Sequence, residues 1–199
     1  MNTKGERDRS TRQRLIDGTL DCVRRSGVDG ATSREITTTA GVNLGAITYH
    51  FGSKDELVAE ALLDSVRRWL DPVLAVLRSE LEPAERTAAA VEALQRSLAE
   101  ARSSLPTYLA ALAHAPHSAP LRRGLDELLH ELHELLAGQI EDMRSGGQLP
   151  TWVEPSAMAH LLVALADGIA LHAVLQPDEV DLPAISTQAL QLLLAVRQP

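Results

Sequence analysis

Strand-forming residues are scarce in this sequence. Only five aromatic side chains (Tyr49, Phe51, Trp69, Tyr108 and Trp152) stand among 199 residues, and Ala and Leu dominate an apolar fraction of 45%. Ala and Leu are helix formers, whereas aromatic and β-branched residues fill sheets, so the composition points to an all-α chain. Cysteine is nearly missing. Cys22 stands alone, which excludes an internal disulfide and a cysteine-built metal cage and fits a reducing, cytoplasmic setting. Long uninterrupted apolar runs are missing too. The longest, from Ala157 to Leu175, contains His160, Asp167 and His172, which speaks against a membrane span. No apolar stretch follows the basic start, so no signal peptide is expected.

The net charge of −8 is unevenly spread. From Met1 to Lys54 there are nine basic and six acidic residues, a balance of +3, which leaves −11 on the remainder. Any contact with an anionic polymer therefore belongs to the N-terminal segment, and the acidic remainder stays off phosphates.

Three Ser/Thr-to-Gln/Glu pairs have capping-box spacing: Ser10 with Gln13, Thr32 with Glu35, and Ser53 with Glu56. In such a box the hydroxyl accepts from a free N–H of the first turn and the acid or amide reaches back. They predict a first helix from Ser10 to Ser26, stopped by Gly27. A second, short helix follows Thr32 and ends at Ala40, a third covers Leu44 to Phe51, and a fourth, longer helix begins at Ser53. Asp71-Pro72 and Glu82-Pro83 are read as interruptions. Further helices are expected over Ala84–Ser103, after Pro106, over Leu121–Met143, from Pro155 to Leu175 and from Pro183 to Val196, with a loop at His114–Pro120. The reading is about nine helices in all, in two domains: 1–52, with a basic N-terminal arm, and 53–199.

Two short helices joined by a tight turn over Thr32–Phe51 form a helix-turn-helix, the arrangement that inserts its second helix into the DNA major groove. Gly41 supplies the positive φ of the turn and Ala40 allows close helix approach. Ile36, Val42, Ile47 and Phe51 are expected to face inward. Asn43, Leu44, Ala46, Thr48 and His50 are expected to face outward, with Gly45 permitting close approach.

The run Ala40-Gly41-Val42-Asn43-Leu44-Gly45-Ala46-Ile47-Thr48-Tyr49-His50-Phe51-Gly52-Ser53-Lys54-Asp55-Glu56-Leu57 resembles the signature of the tetracycline-repressor (TetR) family. Upstream, Ala31–Ile36 and Thr11–Ile16 match as well, so the resemblance spans Ser10 to Leu57. It implies that Thr32, Arg34, Tyr49 and Lys54 hold phosphates and that Asn43, Leu44, Gly45, Ala46 and Thr48 face base edges, with His50 divided between DNA contact and packing. The chain departs from the family pattern in lacking a lysine at Leu44 and a tyrosine at Thr48. Lys4, Arg7 and Arg9 are candidates to compensate from the minor groove.

The remaining helices carry a second signal. Leu161, Leu162, Leu165 and Ile169 lie on one side of their helix, and Val163, Leu171, Val174 and Leu175 on the other. In the last helix Ile185, Ala189, Leu192 and Val196 share a face, with Leu190 on another. Helices apolar all round must be buried all round, so one side needs a partner, and a two-fold four-helix bundle supplies it, with Leu161, Leu162, Leu165, Ile169, Ile185, Ala189, Leu190, Leu192 and Val196 expected at the dimer interface. The resemblance implies the same, since TetR-family proteins dimerise through their final two long helices. The stretch His160–Gln176 also resembles the family branch of betaine- and multidrug-response regulators.

Polar candidates to line an effector pocket are Trp69, Arg102, Tyr108, His114, His117, His133 and Trp152. His130 and His133 have a metal-ligand spacing, but the helical wheel puts His130 opposite the core, so no metal site is expected and no cofactor is implied. No nucleotide loop, G-x-S-x-G or His-Glu-x-x-His pattern points to an enzyme. Asp167, an acid on an apolar face, is read as a cap or an interface pair rather than a catalyst. The expected partners are a double-stranded DNA operator, a small-molecule effector and a second copy of the chain, with no membrane. An effector-independent architectural DNA binder and, behind it, an enzyme with a DNA-binding head are the competing readings.

Overall fold

The computed structural model describes the backbone of residues 4–100, 104–181, 184–185, 187–188 and 191, and the side chains of these except 4–9 and 98–100. Among the described residues eight α-helices have both ends defined: α1 (Lys4–Gly30), α2 (Ser33–Ala40), α3 (Gly45–Phe51), α4 (Lys54–Leu77), α5 (Pro83–Glu100), α6 (Leu105–His114), α7 (Ala119–Ser145) and α8 (Pro155–Leu175). A 3-10 turn over Ala115–His117 joins α6 to α7. There is no strand among the described residues, and the chain is all-α as its composition predicts. Most of the expected last helix, including Ala189, Leu190, Leu192 and Val196, lies outside the described residues.

The chain divides into two compact units, one of residues 1–67 with 106–126 and one of residues 68–105 with 127–199. Both α4 and α7 contribute to each unit.

In the first unit, α1 packs on α2 because Gly18 leaves no side chain between them. A Cβ built at Gly18 would lie 3.1 Å from the Ala40 backbone nitrogen and 3.2 Å from the Ala40 Cβ. Leu15, Ile16, Leu20, Cys22 and Val23 from α1, Ile36 and Ala40 from α2, and Ile47 from α3 are buried. The N-terminal half of α4 adds Leu57, Val58, Ala61 and Leu62 to the buried set. Burying a side chain of this size stabilises by about 1.5–3 kcal/mol relative to leaving it in water. Ser118 is buried and its hydroxyl donates to Asp55 Oδ1 at 2.9 Å, joining the start of α7 to the first turn of α4.

In the second unit, Ile140, Val153 and Ala159 form a core cluster, with Leu136, Ala137, Leu149, Met158 and Leu162 packed against it. Gln139 Nε2 donates to the Pro83 carbonyl at 2.7 Å and to Thr87 Oγ1 at 2.6 Å, and Arg86 pairs with Asp142 at 2.6 Å, so α5 is tied to α7.

Three boundaries differ from the sequence reading. First, α1 starts at Lys4 rather than Ser10. Lys, Glu and Arg before Ser10 are good helix formers, and propagation outruns the cap at Ser10. The backbone expected to be an arm is therefore helical from Lys4. The helical conformation breaks at Gly27, with φ 71° and ψ 176°, at the residue expected to stop it. Second, α4 runs through Pro72 to Leu77. Proline removes one backbone hydrogen bond, but Leu70, Val73, Leu74 and Leu77 are buried on either side of it and hold the helix together. Third, the expected loop at His114–Pro120 is a 3-10 turn followed directly by α7, since Pro120 sits in a first turn, where its missing N–H costs nothing.

Gly18→Val should lower the unfolding free energy by about 1–3 kcal/mol, the usual cost of overpacking a close contact. Urea denaturation followed by circular dichroism measures it, and an unchanged midpoint would contradict the tight α1–α2 contact.

Candidate nucleic-acid interface

The α2–turn–α3 unit is closed by its backbone. Gly41 adopts φ 63°, ψ 39°, and its N–H bonds back to Thr38 O at 3.1 Å while the Val42 N–H reaches Thr37 O at 3.0 Å. These bonds satisfy carbonyls that a helix end would otherwise leave open, and the conformation favours glycine. Arg14 from α1 donates to the Gly41 carbonyl at 2.7 Å. Arg25 donates to Thr39 Oγ1 at 3.2 Å. Arg12 lies 4.9 Å from the centre of the Phe51 ring and forms an ion pair with Glu60. One guanidinium thus joins α1, the end of α3 and α4. These arginine contacts were not anticipated from the sequence. Helical periodicity assigns arginines to a solvated face, and only the crossing of α1 over the turn brings them to their partners.

At the start of α2, Thr32 and Glu35 form the complete capping box. The Glu35 N–H donates to Thr32 Oγ1 at 3.3 Å, and Glu35 Oε2 accepts from the Thr32 N–H at 3.1 Å and from its hydroxyl at 2.9 Å. The Thr32 hydroxyl hydrogen is thus engaged within α2. The Thr32 side chain caps the helix and remains exposed. The bond from the Thr32 N–H, followed by that from its hydroxyl, holds the Glu35 carboxyl below its usual 4.5, and the positive Arg25 and Lys54 act in the same direction. At the start of α4, Ser53 Oγ accepts from the Glu56 N–H at 3.1 Å, so the third expected cap is also present.

On α3 the structure separates the expected base-facing residues. Leu44 is 54% exposed and Tyr49 67% exposed, and Asn43, Gly45 and Thr48 are exposed with them. Arg34 is exposed on α2 and Lys54 is half-buried at the start of α4. Ala46, expected to face outward, is buried at 9% beside Ile47. The correction follows from the helix beginning at Gly45, which turns Ala46 and Ile47 together toward α1. Of the residues expected inward, Ile36 and Ile47 are buried, while Val42 and Phe51 are half-buried. His50 is half-buried, edge-on to Tyr49 with ring centres 4.8 Å apart. Just ahead of α3 the Ala46 N–H is shared between Asn43 Oδ1 at 3.0 Å and the Asn43 backbone carbonyl at 3.1 Å.

The residues expected at an effector pocket divide between the units. In the first, Tyr108 is buried in α6, and the His114 and His117 rings lie 6.5 Å apart. In the second, Trp69 is half-buried, and His133 stacks on His160 with ring centres 4.0 Å apart and planes within 14°. Burial, then the neighbouring His160 and His130, push His133 below its usual 6.5, against an opposing pull from Asp167. Trp152 is 61% exposed on the turn before α8. Arg102 lies outside the described residues. An open apolar cavity of about 380 Å³ is lined instead by Ala164, Leu165, Gly168, Ile169, His172, Val180 and Ile185.

That cavity borders the outer face of α8. Ala157, Leu161, Ala164, Leu171 and Leu175 are exposed, and Gly168 is half-buried among them. Their spacing alternates four and three residues, the spacing of a helix–helix seam. Leu165 is exposed as well. Leu162, expected on the partner-facing side, packs instead on the core cluster of Ile140, Val153 and Ala159. Leu171 and Leu175 take its place outside. The inward direction is set by Ala159 and Ala170, both fully buried, because small residues allow the closest approach to neighbouring helices. By length and hydropathy alone α8 could cross a membrane, although it carries His160, Asp167 and His172.

A DNA-reading helix-turn-helix carried by a larger helical body defines a class of transcription regulator, and comparison with known proteins supplies the family. Residues 15–61 match the family model "Bacterial regulatory proteins, tetR family", and residues 83–196 match "BetI-type transcriptional repressor, C-terminal". The chain belongs to the TetR family of bacterial transcriptional regulators. It is 28% identical over 189 residues to the transcriptional regulator BetI of Burkholderia ambifaria, covering 92% of this chain and 94% of that protein. A solved transcriptional regulator from Rhodococcus sp. Rha1 is 28% identical with a TM-score of 0.73, covering 92% of this chain and 94% of that one. The multidrug binding protein EbrR, solved in complex with imidazole, is 25% identical with a TM-score of 0.65, covering 92% of this chain and 94% of that one.

Glu35 should titrate below 4.5 by NMR. Its folded value lies under its unfolded one, so the capping box contributes stability above the unfolded value and loses it as pH falls through the folded value. Thr32→Val should move the midpoint part of the way back up. Identical midpoints in parent and variant would contradict the capping geometry.

Proposed function

We propose that this regulator is a ligand-responsive repressor that binds a palindromic DNA operator as a homodimer and is released by a small molecule. The observation that carries the reading is the exposed face of α3, where Leu44, Thr48 and Tyr49 stand out from a turn closed by Gly41 and Arg14. A short helix held this firmly at its start keeps its side chains in register with the groove. Arg34, Tyr49 and Lys54 hold phosphates, which positions the helix, while Asn43, Leu44 and Thr48 meet base edges. The boundary between DNA-binding and effector-binding parts is taken at 52/53, between the end of α3 and the cap of α4.

The exposed seam of α8 supports the second copy. A stripe of Ala157, Leu161, Ala164, Gly168, Leu171 and Leu175 fits another helix, because small residues admit its backbone and leucines fill the space beside it. His160, Asp167 and His172 on the same helix favour protein over lipid as the covering. Two-fold pairing places two recognition helices for successive major grooves, about 34–36 Å apart. An effector that changes this spacing lowers DNA affinity without touching the DNA face. The chain's α4, which begins just after α3 and runs into the second unit, is the covalent path for that change. That a relative of 25% identity was solved with imidazole bound supports an effector for this chain, held by the second part of the molecule.

The test is DNA selection from genomic fragments at near-physiological salt, with and without cell extract. A short palindrome released by extract supports the reading, whereas sequence-blind binding indifferent to extract favours an architectural binder. Lys54→Ala should weaken all sequences alike and reduce the salt slope by about one. An equal slope in parent and variant would remove Lys54 from the phosphate contacts. Leu161→Glu should convert a dimer to a monomer in light scattering, because Leu161 is 60% exposed in the single chain and its replacement spares the monomer core. An unchanged mass would overturn the α8 seam.

A further inference from the structure

The large apolar side chains of the DNA-binding head are almost all inside. Leu15, Ile16, Leu20, Ile36 and Ile47 are between 0% and 6% exposed. Leu44 is an aliphatic side chain exposed at 54%, and it stands directly ahead of α3, beside Gly45. In the same short stretch Asn43 has its carbonyl oxygen engaged, since Oδ1 accepts the Ala46 N–H at 3.0 Å. An N–H can only be accepted by the amide oxygen, so this bond fixes which way the amide points. Oδ1 keeps a second lone pair, and Nδ2 keeps its two hydrogens.

Those two facts constrain what the stretch can read. Asparagine recognises adenine by donating and accepting at once, at N7 and N6. With Oδ1 turned back to the Ala46 N–H, that two-point geometry is disfavoured and Asn43 presents its Nδ2 hydrogens. Its neighbour Leu44 offers only methyl groups, Gly45 offers no side chain, and Ala46 is buried. A hydrogen-bond donor next to an apolar group complements one base edge in the major groove. Thymine presents the O4 acceptor and the C5-methyl side by side, and the other three bases lack that methyl.

We infer that Leu44 is a specificity-determining residue that selects thymine in each operator half-site through its C5-methyl group, with Asn43 Nδ2 donating to the same edge. The inference rests on the proposed reading of α3 as the recognition helix. It explains why an uncharged, water-exposed leucine stands in the DNA-facing turn: its cost in solvent is recovered against the thymine methyl.

The experiment replaces each thymine of the selected operator, one at a time, by deoxyuridine, which keeps O4 and lacks only the methyl. For the parent, one thymine per half-site should show about a fourfold loss of affinity, the value of one buried methyl group. Leu44→Ala, a substitution at an exposed position, should bind the thymine and deoxyuridine operators equally while keeping the parent's salt slope. A parent indifferent to deoxyuridine at every position overturns the inference and leaves the recognition helix standing, as does a Leu44→Ala variant that keeps the parent's sensitivity. Failure to select any consensus sequence overturns the recognition reading and this inference together.

Discussion

The left-handed turn at Gly41 is the constraint on which the DNA-binding head depends. Its positive φ lets α2 stop and α3 leave at an angle, and a side chain there would meet the Arg14 guanidinium at 2.7 Å. The same guanidinium holds the Gly41 carbonyl, so the turn is closed both by its conformation and by a charged donor from α1. Everything outward from that point follows. Ile47 and Ala46 turn inward, Leu44, Thr48 and Tyr49 turn outward, and Phe51 reaches the Arg12 guanidinium that is also paired with Glu60. The close α1–α2 contact at Gly18 is the second half of the device, because it fixes the platform from which Arg12, Arg14 and Arg25 reach across.

Polar residues in the head serve the fold before they serve any ligand. Asn43 Oδ1 shares the Ala46 N–H with its own backbone carbonyl ahead of α3, while Thr32 closes the start of α2 and Ser53 closes the start of α4. Each bond satisfies an N–H that a short helix leaves open, and short helices gain most from such caps because few internal bonds offset their ends. One consequence reaches function: a side chain spent on a cap has fewer groups to offer DNA. Thr32 spends its hydroxyl hydrogen on Glu35, and Asn43 spends one lone pair of its amide oxygen on the Ala46 N–H.

The second unit shows a different division of labour. The fully buried Ala159 and Ala170 set the inner face of α8, and this rotates the alternating stripe from Ala157 to Leu175 outward. That stripe stands exposed or half-buried on the single chain. The His133–His160 stack and the apolar cavity beside Leu165 and Ile169 lie within this same unit.

Much of this was legible in the residues themselves. Helix type followed from Ala and Leu content, and the boundaries around α2 and α3 from Thr32, Gly41 and Ser53, because caps and positive-φ turns are local chemistry written at fixed offsets. The family was readable from the run ending in Leu57 for the same reason. What failed were inferences requiring a third dimension. Pro72 reads locally as a stop, yet long-range burial on both sides carries α4 through it. Ala46 and Leu162 read as outward and partner-facing because a helical wheel gives the period of a pattern without its phase, and only the packed neighbours set the phase. The contacts of the arginines at 12, 14 and 25 went unread, because their partners are up to 48 residues away in sequence, at Glu60. The sequence thus determined which helices form and how the turn between α2 and α3 is made, since those are settled within a few residues. The tertiary structure alone decided which face of each helix is inside and which polar groups remain free, since both depend on contacts between segments distant along the chain.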